Sequence, residues 1–141
     1  CVQALRSPAL VGGDLPATLN ALFQTMTEGT PLQAKLTCSG EPQRLPPEWQ
    51  EQLLQIGREA LTNTLRHAHA NRFAAELSVD THEVHFNLTD DGRGFDPHRV
   101  SGGFGLRGMR ERAERLGARL WINSARGEGT GIRLTISAAA P

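Results

Sequence analysis

Three short runs in this chain place an apolar side chain at every second residue. They are Phe73-Ala75-Leu77-Val79, Val84-Phe86-Leu88 and Ile132-Leu134-Ile136, with mostly polar residues between. Successive side chains of a strand point to opposite faces, so each run makes one dry face and one wet one. A sheet built from such strands has to cover its dry face, and the cover is present in the same sequence. "DLPATLNALFQTMTEG" (Asp14 to Gly29) has helical spacing, with Asp14 as N-cap, Pro16 in the first turn and Gly29 as a stop. "LPPEWQEQLLQIGREALTNTLRHAHAN" (Leu45 to Asn71) is the longest helix signal. A short helix follows the glycines of "VSGGFGLRGMRERAERLG", and further strands read over Leu32 to Cys38 and Ala118 to Ser124. The expected fold is α/β (α+β): a two-layer sandwich, a mixed β-sheet covered on one face by about three helices.

A length of 141 residues suits one core. The formal net charge is zero, which argues against nucleic acid or a membrane surface as partner. Cys1 and Cys38 offer neither metal spacing nor a disulfide framework, so a reducing cytoplasm is expected. No apolar run approaches the roughly 20 residues a spanning helix needs. The chain opens at Cys1 and reads as a piece of a longer protein.

Gly103-Phe-Gly105-Leu-Arg-Gly108 matches the dinucleotide fingerprint G-x-G-x-x-G. That fingerprint belongs directly after an early strand, with an acidic residue about 20 positions on. Here the loop comes late, after "FDPHRVSG", and the acidic residue at that distance, Glu128, lies in another glycine turn. A P-loop is excluded too, because the only lysine, Lys35, falls in an expected strand.

Other residues converge better. The strand Glu83 to Thr89 runs into Asp90-Asp91-Gly92-Arg93-Gly94-Phe95, placing a carboxylate beside flexible backbone. Such a carboxylate accepts a hydrogen bond from an exocyclic amine such as adenine N6; alone, the same residues could be an ordinary turn. In the long helix, Glu59 and Asn63 stand at i and i+4 along the margin of an apolar face formed by Trp49, Leu53, Ile56 and Ala60. Arg66 and His67 follow one turn later. Arg126-Gly127-Glu128-Gly129-Thr130-Gly131 joins the last two strands.

In order and spacing, these segments resemble the ATP-binding domain of sensor histidine kinases, a group that includes gyrase, the ninety-kilodalton heat-shock chaperone and the mismatch-repair ATPases. "REALTNTLRHAHA" resembles the N box, and "DDGRGF", "GGFGLRGMRERA" and "GEGTGIRLTI" resemble the three glycine boxes. The wording is closest to the nitrate/nitrite-sensor type. The resemblance implies a domain over residues 14–141, with 1–13 as the remnant of an upstream dimerisation helix and linker. It implies Mg-ATP as ligand, transfer of the γ-phosphoryl group to a histidine on that upstream domain, and relay to a response regulator. No histidine precedes His67, so the acceptor is expected on another domain.

By the same resemblance Asp90 holds adenine N6, Gly92 and Gly94 shape the base pocket, and Thr130 reaches the adenine through a bridging water. Asn63 ligates Mg²⁺, and Arg66 and His67 approach the phosphates. The glycines Gly103, Gly105 and Gly108 belong to the ATP lid, and the free N–H groups from Gly105 through Leu106 to Met109 face the phosphates. Glu59 stands where hydrolysing relatives keep a general base; in this chain it is either catalytic or a partner of Arg66. A gyrase- or mismatch-repair-like ATPase, and an anti-sigma-factor-like regulatory module, are the alternatives.

Some residues read as structure. His67 and His69 point apart on a helix, so "HAH" is not expected to bind metal. Met109, Leu116 and Trp121 are expected in the core, and "RERAER" (Arg110 to Arg115) as a solvated, internally paired helix face.

Overall fold

The computed structural model describes residues 14–42, 45–68, 70–93, 106–124 and 127–137, with His67, Ala68 and Leu106 described by their backbone alone. The expected dimerisation remnant at 1–13, His69 and the lid and pocket glycines Gly94, Gly103 and Gly105 lie outside that set.

The elements run α1 (Leu15–Thr27), β1 (Gln33–Gly40), α2 (Pro47–Asn63), a π-helical turn (Thr64–Ala68), β2 (Arg72–Val79), β3 (Glu83–Asp90), α3 (Leu106–Leu116), β4 (Arg119–Ser124) and β5 (Thr130–Ser137). Five strands form one sheet in the order β1-β2-β3-β5-β4. Only β1 and β2 are parallel; every other neighbouring pair is antiparallel, so the sheet is mixed as expected.

The period-two runs do what their spacing demands. Phe73, Ala75, Leu77 and Val79 are buried, as are Val84, Phe86 and Leu88 and Ile132, Leu134 and Ile136. They meet Leu15, Leu19 and Phe23 of α1, Leu53, Ile56, Ala60 and Leu61 of α2, and Met109, Ala113 and Leu116 of α3 in one core. The rings of Phe23 and Phe73 pack edge to face at 5.4 Å, fastening α1 to β2. Such a pair adds about 0.5–1.5 kcal/mol beyond its buried area. Helix α1 starts where the sequence places it: Asp14 caps it by accepting from the Ala17 N–H at 3.3 Å.

Three expectations need correction. The helix read as continuous from Leu45 to Asn71 is α-helical only from Pro47 to Asn63, then widens into the π turn and ends before β2. Beyond Asn63 the backbone no longer follows α-helical spacing. Trp121 is not core but 44% exposed. Leu120 and Ile122 take the inward side of β4, the edge strand, and the pleat turns Trp121 to the open face. Finally, Arg112 of "RERAER" is not simply solvated, because its Nη1 donates to Gln52 Oε1 of α2 at 3.0 Å and helps seat α3.

Candidate functional site

Strand β3 carries Val84, Phe86 and Leu88 on its inward side, and the next inward position is Asp90. A row of apolar side chains therefore ends in a carboxylate aimed at the helix layer. The neighbouring strands make the same change at the same level. Asp90 pairs with Thr130 on β5, and Thr130 pairs with Ser124 on β4. One row further into the sheet the corresponding residues are Leu88, Ile132 and Ile122. The inner face thus turns from dry to polar along one row, at the end of the sheet beneath the C-terminus of α2.

The Asp90 carboxylate is held from two sides. Its Oδ1 accepts the Gly92 N–H at 2.8 Å, and its Oδ2 accepts the Thr64 hydroxyl at 3.0 Å. Thr64 is the first residue of the π turn and is buried, so the end of α2 and the end of β3 meet through these two side chains. Each carboxylate oxygen keeps a lone pair, because an ionised aspartate offers about four acceptor positions. The level suits a donor such as an amine and disfavours an anion.

The loop between β4 and β5 closes this end. Gly129 has φ +78°, and a Cβ there would fall on the Asp90 carbonyl oxygen, so only glycine lets the loop lie against the strand. The Gly127 N–H donates to the Arg93 carbonyl at 2.5 Å, a second tie between the two glycine turns. Ser124 Oγ donates to the Gly129 carbonyl at 3.1 Å and lies 2.9 Å from Thr130 Oγ1. With the Ser124 proton on that carbonyl, the Thr130 hydroxyl donates to Ser124 and keeps acceptor capacity on its own oxygen.

Asp91 does different work. Its Oδ1 accepts the N–H groups of Asn71 and Arg72 at 2.8 and 2.9 Å, fastening the start of β2. These backbone hydrogen bonds, that of Arg72 first, hold its carboxyl below the ordinary value.

On α2, Glu59 and Asn63 are half-buried one turn apart, and Arg66 on the π turn is exposed. Helix α3 begins at Leu106 and has no acidic side chain in its first turn. Met109 buries its side chain in the core. The structure therefore joins Asp90, Gly92 and Thr130 at one place. Glu59, Asn63 and Arg66 lie on α2 and the π turn, and Gly108 and Met109 on the first turn of α3. Among the described residues no group of three His, Cys, Asp or Glu side chains could hold a metal.

Sequence reasoning missed Thr64, Ser124 and Gly129 as parts of this site. The first was hidden by the π turn. Ser124 becomes visible only once the β4–β5 register is known. Gly129 carried its signal in the "GEGTG" turn, but its target, the Asp90 carbonyl, is a tertiary fact.

Residues 49–140 match the family model described as Histidine kinase-, DNA gyrase B-, and HSP90-like ATPase. The chain belongs to this family. Among curated relatives, it is 35% identical over 135 residues to sensor histidine kinase YxjM of Bacillus subtilis, covering 95% of this chain and 32% of that protein. It is 35% identical over 130 residues to the nitrate/nitrite sensor protein NarQ of Escherichia coli, covering 89% of this chain and 23% of that protein. The histidine kinase domain of the Erythrobacter litoralis EL346 blue-light activated histidine kinase superposes with a TM-score of 0.66 at 25% identity, covering 86% of this chain and 64% of that one. The chain thus spans a third or less of those two curated relatives. The class is a histidine kinase-type ATPase domain of the kind that sensor kinases carry. Among the described residues no helix is long and apolar enough to cross a membrane.

Proposed function

We propose that this chain binds Mg-ATP at the polar end of its interlayer core and donates the γ-phosphoryl group to a histidine of a dimerisation domain, for relay to an aspartate of a response regulator. The observation that carries the reading is the inward row Asp90-Thr130-Ser124, where a partly buried carboxylate with spare lone pairs ends an apolar strand face. Asp90 accepts from adenine N6, Gly92 and Gly94 let the base approach the main chain, and Thr130 reaches the same edge through water. Asn63 would hold Mg²⁺, which would supply charge neutralisation at the phosphates. Arg66, His67 and the N–H groups at the start of α3 neutralise the phosphates, and Gly103, Gly105 and Gly108 keep that approach clear.

In the transfer, the acceptor imidazole nitrogen supplies the electron pair, the bond from γ-phosphorus to the β,γ-bridging oxygen breaks, and ADP leaves. Glu59 takes the proton released by the ring. Little covalent chemistry falls to the protein, so positioning and charge neutralisation supply the rate.

Calorimetry with Mg-ATP and Mg-GTP tests the reading. Guanine offers a carbonyl where adenine offers an amine, so ATP should bind more tightly. Asp90→Ala should weaken ATP by about ten- to a hundredfold, the scale of a hydrogen bond to a charged group. Equal binding of GTP, or a silent Asp90→Ala, would overturn the base assignment. Rapid steady-state phosphate release that depends on Glu59 would favour a water-activating ATPase instead.

A further inference from the structure

One buried polar side chain touches the base-binding carboxylate and has no assigned part in nucleotide binding. It is Thr64, 3% exposed, at the first position of the π turn. We propose that Thr64 is a positioning residue for base recognition, its hydroxyl fixing the Asp90 carboxylate in the orientation that accepts the exocyclic amine of adenine. The inference rests on Asp90 being the base acceptor.

A carboxylate on a single-bonded side chain turns about two torsions, and one hydrogen bond leaves it free to swing. Asp90 has two anchors of different origin. Gly92 N–H holds Oδ1 from within the β3 turn, and Thr64 Oγ1 holds Oδ2 from the end of α2. Together they define the plane of the group and leave the remaining lone pairs pointing in set directions.

The Thr64 hydroxyl has one proton and two acceptors in reach, the Ala60 carbonyl at 3.1 Å and Asp90 Oδ2 at 3.0 Å. Threonine in a helix usually returns its proton to the carbonyl four residues back. Here the Thr64 backbone N–H already donates to the Ala60 and Leu61 carbonyls, so Ala60 loses little when the hydroxyl turns away. A carboxylate is also the stronger acceptor. The proton therefore goes to Asp90. Because Thr64 is buried, water does not readily replace that donor once the hydroxyl is removed.

A structural role alone would weaken every ligand equally; a role in aiming Asp90 acts only on ligands that present an amine to it. The test is calorimetry of this chain with Mg-ATP and with the Mg complex of purine riboside 5′-triphosphate, which lacks the 6-amine. Thr64→Val keeps the volume and removes the donor, and Thr64→Ala makes the same comparison without a β-branched side chain. Either should weaken ATP by roughly tenfold, the scale of one hydrogen bond to a charged group. Binding of the purine riboside nucleotide should stay unchanged, and Thr64→Ser should restore ATP. ATP binding equal to wild type in both variants, equal losses for both nucleotides, or failure of serine to restore would overturn the proposal. If Asp90→Ala loses ATP while the Thr64 variants do not, the reading of Asp90 stands and Thr64 leaves it. If the unmodified chain binds no ATP, both fall.

Discussion

Asp90 and Asp91 are neighbours with the same side chain and opposite tasks. The pleat turns Asp90 inward, where Thr64 and Gly92 hold it, and leaves Asp91 exposed to fasten the start of β2. The paired carboxylates were legible as a turn and as a binding motif. Which aspartate does which was readable for Asp90 from its place in the alternation, but Asp91 depends on β2 beginning at Arg72. Because the folded carboxyl of Asp91 is depressed below its ordinary 3.8, its charge stabilises the fold fully above that value. The stabilisation is lost as pH falls through the lower, folded value. Asp91→Asn keeps an acceptor and removes the charge, so denaturant titrations should find it less stable than wild type at pH 7. The gap should close below pH 3.8; a gap independent of pH would show that the charge contributes nothing. Gly129 gives a second residue-scale outcome. Its positive φ and lack of space against the Asp90 carbonyl mean that Gly129→Ala should cost at least about 2 kcal/mol in chemical denaturation. A cost no larger than that of Gly127→Ala, where φ is positive but no described residue lies within 4 Å of the added atom, would contradict the close approach.

At the scale of elements, two helical glycines separate packing from function. Gly57 of α2 lies under α1, where a Cβ would come within 2.9 Å of Leu19 Cδ2 and 3.4 Å of Phe86 Cζ, so its smallness serves the core. Among the described residues nothing lies within 4 Å of the same atom added at Gly108 of α3, and its φ is not positive. Those neighbours do not require glycine there. Gly108→Ala should therefore stabilise the protein by up to about 1 kcal/mol, the helix preference for alanine, while weakening Mg-ATP if phosphates pass close to that turn. A variant with a higher melting temperature and undiminished ATP binding would take the start of α3 out of the phosphate site. The strands were legible because alternation is a local signal and the buried rows obeyed it. The π turn was not, since Thr64 finds its partner 26 residues on and α-helical spacing carries no trace of that. Trp121 misled for a related reason: size suggests burial, but the pleat of an edge strand places Leu120 and Ile122 inward and leaves the indole outside.

For the whole molecule, the layers explain why one end carries the chemistry. The sheet and three helices enclose a single apolar core, and polar side chains enter its inner face where β3, β5 and β4 reach the Asp90-Thr130-Ser124 row. The proposed in-line transfer needs an acceptor nitrogen a few ångströms from the γ-phosphate. The histidines of this chain are His67, His69, His82, His85 and His98. Of these, His82 and His85 have described side chains, and they belong to the β2–β3 turn and to the sheet face opposite the helices. The most direct test is labelling with ATP radioactive in its γ-phosphate, with and without a separately added histidine-bearing dimerisation domain of a sensor kinase. The account predicts no stable label on this chain alone, acid-labile and alkali-stable label on the added domain, and loss of that label with Asn63→Ala. Acid-labile label on the isolated chain, or transfer indifferent to Asn63→Ala, would contradict it.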